Sequence, residues 1–182
     1  MADIKILGFS GSLRKGSMNT ALLRAAADLL PDGASLQIAT IGDLPLYNED
    51  LRINGSFPDP ALRLRAEVAA ADALLIATPE YNLSIPPALK NAIDWVSRPP
   101  TEIFSGKPVA ILGASGNALG TVRAQLHLRQ ILLGVDANVV RRPQVLIGGA
   151  REKFDAQMVF TDNLGRDLIK QLLEKLVGLI RA

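Results

Sequence analysis

Short apolar runs alternate with segments of helical periodicity along the chain, and this alternation limits the possible folds more than any other feature. The run Ala73–Thr78 (ALLIAT) has the continuous apolar pattern of a strand that is buried on both faces. Met18–Leu30 instead places its apolar residues at helical spacing. Strands are predicted at Ile4–Phe9, Ser35–Ile41, Ala73–Thr78, Pro108–Gly113 and within Val139–Ile147. Helices are predicted at Met18–Leu30, Asp59–Ala71, Pro86–Val96, Leu119–Leu133 and Thr161–Ile180. Strands separated by helices indicate a parallel sheet that is covered by helices on both faces.

Length and composition fit this fold and narrow the function classes. A chain of 182 residues is expected to form one domain over residues 1–182, with an aliphatic core, because 48% of it is hydrophobic and only 4% aromatic. The net charge of +2, from 20 basic and 18 acidic residues, gives no sign of nucleic-acid binding. Cysteine is absent, which excludes disulfides and cysteine-based sites. No segment has the pattern of a secretory signal or of a membrane span, so a cytoplasmic location is expected.

A doubly wound sheet places its ligands beyond the carboxyl ends of its strands. Two strand orders are common, the Rossmann order and the flavodoxin-like order 2-1-3-4-5, and both follow this rule. The rule selects three loops in this chain. They are Ser10–Asn19, Pro79–Pro87 and Ala114–Gly120.

The first of these loops, within GSLRKGSMNT, has the composition of an anion site. Unpaired N–H groups at a helix start attract an anion, hydroxyl side chains donate to it, and Arg14 can contact a phosphate with two hydrogen bonds. Gly11 and Gly16 have the spacing of a P-loop, but Ser17 and Met18 stand where that motif needs lysine and a hydroxyl residue. The missing lysine argues against nucleotide hydrolysis. A plain helix cap would explain the serine and asparagine residues alone, but Arg14 and the four hydroxyl groups favour a phosphate cradle.

The second and third loops are less specific when taken alone. The prolines of the second loop suit an ordinary stiff turn, and the glycines of the third suit a flexible connection as well as the flat face of a ring. His127 is the only histidine and has no carboxylate or cysteine partner near it in the sequence, so we expect a structural role. The acidic residues form no recognisable catalytic pair or metal cluster.

Together, the segments GSLRKGSMN, PEYNLSIPPALKNAIDW and RAQLHLRQIL resemble the NADPH-dependent FMN reductase family, and within it the bacterial quinone, chromate and azo-dye reductases. The resemblance runs from Ser10 to about Gly149. It implies a flavodoxin-like, doubly wound, five-stranded parallel sheet of order 2-1-3-4-5, with helices on both faces. It also implies FMN bound without a covalent bond and NADPH or NADH as the electron donor.

The resemblance assigns cofactor-binding residues loop by loop and assigns no catalytic residue or metal, since FMN carries the chemistry. The residues expected around the FMN phosphate are Ser10, Ser12, Arg14, Ser17, Met18, Asn19 and Thr20. Those expected along the isoalloxazine ring are Pro79, Glu80, Tyr81, Asn82, Ser84 and Ile85. Those expected at the other edge of the ring are Ser115, Gly116 and Asn117.

The implied activity is transfer of hydride from NAD(P)H to FMN and then of electrons to quinones, azo dyes, chromate or similar small acceptors. A flavodoxin-like module reduced by a protein partner is the alternative, although flavodoxins are usually acidic. The resemblance also implies a homodimer or homotetramer, with no nucleic-acid or membrane partner. Leu126 and Gln144 stand where close relatives tend to have the Tyr and Glu of a subunit contact, so this contact is expected to differ.

Overall fold

One parallel sheet with the strand order β2-β1-β3-β4-β5 forms the centre of the protein. The computed structural model describes residues 3–181. The strands are β1 (Ile4–Ser10), β2 (Ala34–Ile38), β3 (Ala73–Ala77), β4 (Pro108–Ala114), β5 (Asn138–Val139) and β6 (Val145–Ile147). All five residues of β3 are buried, as its continuous apolar pattern predicts. The order confirms the predicted flavodoxin-like sheet.

The predicted fifth strand is divided into two short strands that lie along the same edge of β4. β5 pairs with Pro108 and Val109 at the start of β4, and β6 pairs with the segment 112–114 at its end. Proline has no N–H group to donate to a ladder, and Pro143 lies between the two strands. The prediction of one continuous strand within Val139–Ile147 was therefore wrong, but the position of the strand next to β4 was predicted correctly.

Helices cover both faces of the sheet, as predicted. They are α1 (Met18–Ala27), α2 (Asp59–Ala70), α3 (Pro87–Val96), α4 (Val122–Gly134) and α5 (Asn163–Arg181). The buried residues of α1 and α5 share one core cluster, and those of α2, α3 and α4 share the cluster on the other face. α1 ends before the predicted Leu30, because Leu29 N–H bonds to the carbonyl of Ala26 and tightens the last turn. No helix within residues 3–181 is long and apolar enough to cross a membrane.

The proline-rich segment between β2 and α2 is fixed by α3. It contains two 3₁₀ turns, Glu49–Leu51 and Ile53–Gly55. The buried indole of Trp95 donates a hydrogen bond to the carbonyl of Pro45 over 2.8 Å, and the rings of Tyr47 and Phe57 meet it edge-on. Trp95 therefore holds the long loop against α3, the helix that follows the second site loop.

Candidate functional site

A cavity of about 540 Å³ opens at the carboxyl ends of β1, β3 and β4, where the sequence places the three selected loops. Its volume is within the range of small-molecule sites. Its lining consists of Ser12, Arg14, Gly16, Ser17, Met18, Asn19, Pro79, Glu80, Tyr81, Ala114, Ser115, Gly116, Arg151, Phe154, Asp155 and Met158. The first three loops thus meet as predicted, and a fourth segment after β6 joins them.

Gly11 allows the first and second loops to approach closely. A Cβ on this residue would lie 2.7 Å from Cγ of Pro86, which is closer than side chains pack. The Gly11 N–H donates to the carbonyl of Ala77 at the end of β3, over 2.8 Å. A hydrogen bond within the first loop also stabilises it, because the N–H of Ser12 donates to Oγ of Ser10 over 3.1 Å. The cavity wall between β1 and β3 is therefore formed by backbone held in a defined position.

The start of α1 presents the donor groups of an anion site. Ser17 caps the helix, because its Oγ accepts the N–H of Thr20 over 3.2 Å. The N–H groups of Met18 and Asn19, in the first turn, have no acceptor within a helix and are available to a ligand. Arg14 is exposed, lines the cavity and takes part in none of the ion pairs found within residues 3–181. A phosphate at this place would meet hydroxyl, amide and guanidinium donors.

The side chain of Asn19 forms its hydrogen bonds with Ala114, at the start of the third loop. It is buried, and its Nδ2 donates to the carbonyl of Ala114 over 3.0 Å while its Oδ1 accepts the N–H of Ala114 over 2.9 Å. The pair of bonds fixes the end of β4 to the first turn of α1. Asn19 therefore contributes to the cavity by joining two of its loops, and its backbone N–H is the group left for a phosphate.

Glu80 also serves to connect loops. Its side chain is 3% exposed, and its carboxylate accepts the Nε and Nη2 groups of Arg123 and the backbone N–H groups of Arg123 and Ala124. The carboxylate thus caps the start of α4 from the second loop. Burial acts to raise the pKa of Glu80, but the hydrogen bonds from Arg123 and Ala124 together outweigh it, and the pKa lies below its ordinary value. Glu80 is therefore a carboxylate at neutral pH.

Replacing Glu80 by glutamine is expected to lower the free energy of unfolding by about 2 kcal/mol at neutral pH, because an amide cannot accept all four donors. Because the pKa of the folded state is lowered, this contribution is present near neutral pH and is lost as the pH falls through that pKa. The gap between wild type and E80Q in urea unfolding should therefore shrink in acid. E174Q, on the exposed side of α5, is the matched control, and a gap that is constant with pH would contradict the assignment.

A tight turn in the second loop carries Tyr81 into the cavity lining. Tyr81 and Ser84 exchange backbone hydrogen bonds of 2.9 and 3.0 Å around Asn82 and Leu83, both of which have positive φ angles. His127 on α4 holds this turn from outside, with its Nδ1 3.0 Å from Oγ of Ser84. The only histidine of the sequence thus contacts the predicted ring loop through a side-chain hydrogen bond.

The fourth segment, which contributes Arg151, Phe154, Asp155 and Met158 to the lining, was missed by the sequence analysis. It begins with a 3₁₀ turn, Ala150–Lys153, directly after β6, and it closes on itself through a bridge between Phe154 and Phe160. The rule that selected the first three loops applies equally to the end of the fifth strand. The charged residues after Gly148-Gly149 were therefore a usable signal.

The predicted residues divide into three groups. Those that line the cavity are Ser12, Arg14, Ser17, Met18, Asn19, Pro79, Glu80, Tyr81, Ser115 and Gly116. Ser10 and Thr20 line an adjacent cavity toward β2. The residues outside the lining of both are Asn82, Ser84, Ile85 and Asn117. Ile85 is buried in the core, and the carbonyl of Asn117 accepts the N–H of Gly149, which ties the third loop to the fourth segment.

The residues present fit FMN. The donors at the start of α1 suit a phosphate, and Gly16 has open space where a Cβ would lie, so the backbone there is accessible. The ring would lie against Pro79, Tyr81 and the bare backbone of Gly116. Within residues 3–181 no cluster of three or more histidine, cysteine, aspartate or glutamate residues is arranged to hold a metal ion. The site therefore suits an organic anion with a flat ring.

A sequence model described as NADPH-dependent FMN reductase matches residues 4–152. The chain belongs to this family. It is 54% identical over 174 residues to an NAD(P)H-dependent FMN reductase of Pseudomonas aeruginosa, covering 96% of this chain and 94% of that protein. It is 40% identical over 175 residues to an NADPH:quinone oxidoreductase of Arabidopsis thaliana, covering 93% of this chain and 88% of that protein.

The fold agrees with the family at the level of structure. The flavoenzyme NAD(P)H:(acceptor) oxidoreductase FerB of Paracoccus denitrificans superposes with a TM-score of 0.88 at 34% identity, over 98% of this chain and 97% of that chain. Membership of the NADPH-dependent FMN reductase family confirms the predicted class of protein, an oxidoreductase that uses FMN and a nicotinamide donor. The residues that hold the cofactor remain a prediction.

Proposed function

We propose that this family member holds FMN in the cavity at the ends of β1, β3 and β4 and uses it to reduce quinones with NAD(P)H. The observation that carries the proposal is the convergence of a phosphate donor set and a flat, glycine-lined wall in one cavity. The names of the relatives in Pseudomonas aeruginosa and Arabidopsis thaliana support FMN and a quinone. Reduction of azo dyes and chromate, a cytoplasmic location and a single domain over residues 1–182 stay predictions.

The first loop would bind the phosphate of the cofactor. Arg14 would contact its oxygens with a charged, two-pronged donor, and the hydroxyl groups of Ser12 and Ser17 would donate from the buried side. The N–H groups at the start of α1 add the favourable dipole of a helix N-terminus. Binding at this end would therefore depend on the phosphate and not on the ring.

The second and third loops would orient the ring so that one face stays open. Pro79 is buried and Tyr81 is about half exposed, so the wall on that side is rigid at its base and accessible at its rim. Bound FMN would supply the two-electron chemistry, as an acceptor for the hydride of NAD(P)H that carries one negative charge when reduced and as the source of those electrons for the acceptor. The two loops would position donor and acceptor in turn at the open face.

Anaerobic rapid mixing separates this proposal from a flavodoxin-like electron carrier. We expect NADPH to bleach the absorbance of the FMN-loaded protein and 1,4-benzoquinone to restore it, with hydroquinone formed in equal amount. A protein that binds FMN and is bleached by dithionite but not by NADPH or NADH would instead be an electron carrier that needs a protein reductant. The slightly basic composition favours the first result.

We also propose that the chain forms a homodimer or homotetramer through the outer side of α4. Leu126 and Leu133 on this helix are 55% and 77% exposed, and Leu83, in the turn that His127 holds, is 56% exposed. Large exposed apolar side chains grouped on one surface are typical of subunit contacts. Sedimentation equilibrium of L126E, which places a charge on this surface, against the wild type tests the assignment.

A further inference from the structure

Arg151 is a cation at the cavity that neither the motifs nor the family resemblance assigns to the cofactor. It lies in the 3₁₀ turn after β6 and lines the same cavity as Arg14. Its Nε is 3.6 Å from the position that a Cβ on Gly116 would occupy, so its side chain lies against the backbone of the third loop. It is exposed and forms none of the ion pairs found in the described part of the chain.

The two carboxylates that line the cavity already have hydrogen-bond partners within the chain. The carboxylate of Glu80 is buried against Arg123. Oδ1 of Asp155 accepts the N–H groups of Gln157 and Val159 over 2.9 and 2.8 Å, which closes the fourth segment on itself. Two arginines remain uncommitted, and they lie on different loops. Arg14 belongs to the loop with the phosphate donors, and the side chain of Arg151 lies beside Gly116 in the loop expected at the edge of the ring.

We propose that Arg151 stabilises the negative charge that the flavin ring gains on reduction, and so favours reduced over oxidised flavin in the site. The proposal rests on the proposed function, which places the ring beside Gly116. A positive group near the pyrimidine edge of a flavin tunes its electronics without contacting the reacting atoms. Arg151 would thus act through its charge and would not take part in the chemical step. Because its side chain is exposed to water, we expect the effect on the ratio of the affinities for reduced and oxidised FMN to be roughly tenfold.

The phosphate is the other anion that Arg151 could meet, and the geometry favours the ring. The hydroxyl and N–H donors for a phosphate lie in the first loop and at the start of α1, whereas the side chain of Arg151 lies beside the third loop. A cation on the phosphate would raise affinity for oxidised and reduced FMN alike. A cation at the ring edge would change only the ratio of the two affinities, and this difference can be measured.

The test uses R151Q, R151K and R24Q, the last of which removes an exposed arginine from α1 that does not line the cavity. The midpoint potential of bound FMN is measured by anaerobic equilibration with a reference dye at low salt. The Kd of oxidised FMN is measured by quenching of its fluorescence.

For R151Q we expect the affinity ratio of reduced to oxidised FMN to fall about tenfold, which for two electrons is about 30 mV. R151K should keep most of the ratio and R24Q all of it, with the Kd of oxidised FMN within about twofold of wild type.

Three results would overturn the assignment. An unchanged potential in R151Q would remove the role, and a weaker Kd for oxidised FMN at an unchanged potential would place Arg151 on the phosphate. A changed KM for NADPH alone would place it on the donor. Failure of the proposed function looks different, because wild-type protein would then either bind no FMN and have no potential to measure, or bind FMN that neither NADPH nor NADH bleaches.

Discussion

Replacing Asn19 by alanine is expected to lower the free energy of unfolding by about 3 kcal/mol and to weaken the binding of FMN. The substitution leaves both the N–H and the carbonyl of Ala114 buried without their partner. A buried polar group without a hydrogen bond costs about 1–3 kcal/mol, and two are affected here. Because Ala114 lines the cavity, the third loop should lose its fixed position relative to α1.

Urea unfolding of N19A and N19D beside N163A measures this effect. Asn163 is exposed at the start of α5, so N163A should unfold like the wild type. N19D keeps an acceptor for the N–H of Ala114 but has no donor for its carbonyl, and it buries a charge, so it should also be strongly destabilised. A free energy of unfolding equal to that of the wild type in N19A would mean that the two hydrogen bonds between Asn19 and Ala114 contribute nothing to stability.

Replacing Arg14 by glutamine is expected to raise the Kd for FMN about 100-fold, which corresponds to about 2.7 kcal/mol. The fold should be unaffected, because Arg14 is exposed and forms no ion pair within residues 3–181. Riboflavin, which lacks the phosphate, provides an internal control. R14Q should bind riboflavin as the wild type does, so that the preference for FMN over riboflavin largely disappears.

Fluorescence titration of R14Q and K15Q with both flavins makes the comparison. Lys15 is the exposed neighbour of Arg14 and does not line the cavity, so K15Q should keep the wild-type preference. Equal weakening of FMN and riboflavin in R14Q would show that Arg14 acts on the ring or on the fold. An unchanged Kd for FMN would remove Arg14 from the phosphate site altogether.

Local pattern was sufficient to predict a parallel sheet and the place of the site, whereas the strand order was predicted from the family resemblance. The apolar run at β3 and the helical spacing in α1 are properties of short segments, and the rule for parallel sheets then places three loops at one edge. The division of the fifth strand depends on which ladder bonds remain around Pro143, and this was only partly visible in the sequence. The fourth segment could have been found by the same rule.

The roles of individual side chains were harder to predict, because they depend on partners far away in the sequence. Asn19 bonds to Ala114, 95 residues later, and Glu80 bonds to Arg123, 43 residues later. Both residue types suit a ligand site, so composition alone assigns them to the ligand. The fold instead uses them to join the loops, and this leaves Arg14, the hydroxyl groups and the backbone to meet the cofactor.

We expect each chain to bind one FMN, with its phosphate at the start of α1 and its ring across the second and third loops. Titration of flavin-free protein with FMN, followed by quenching of flavin fluorescence, tests it most directly. We expect saturation at one FMN per chain and markedly weaker binding of riboflavin. A protein that leaves FMN fluorescence unchanged, or that binds both flavins equally well, would contradict it.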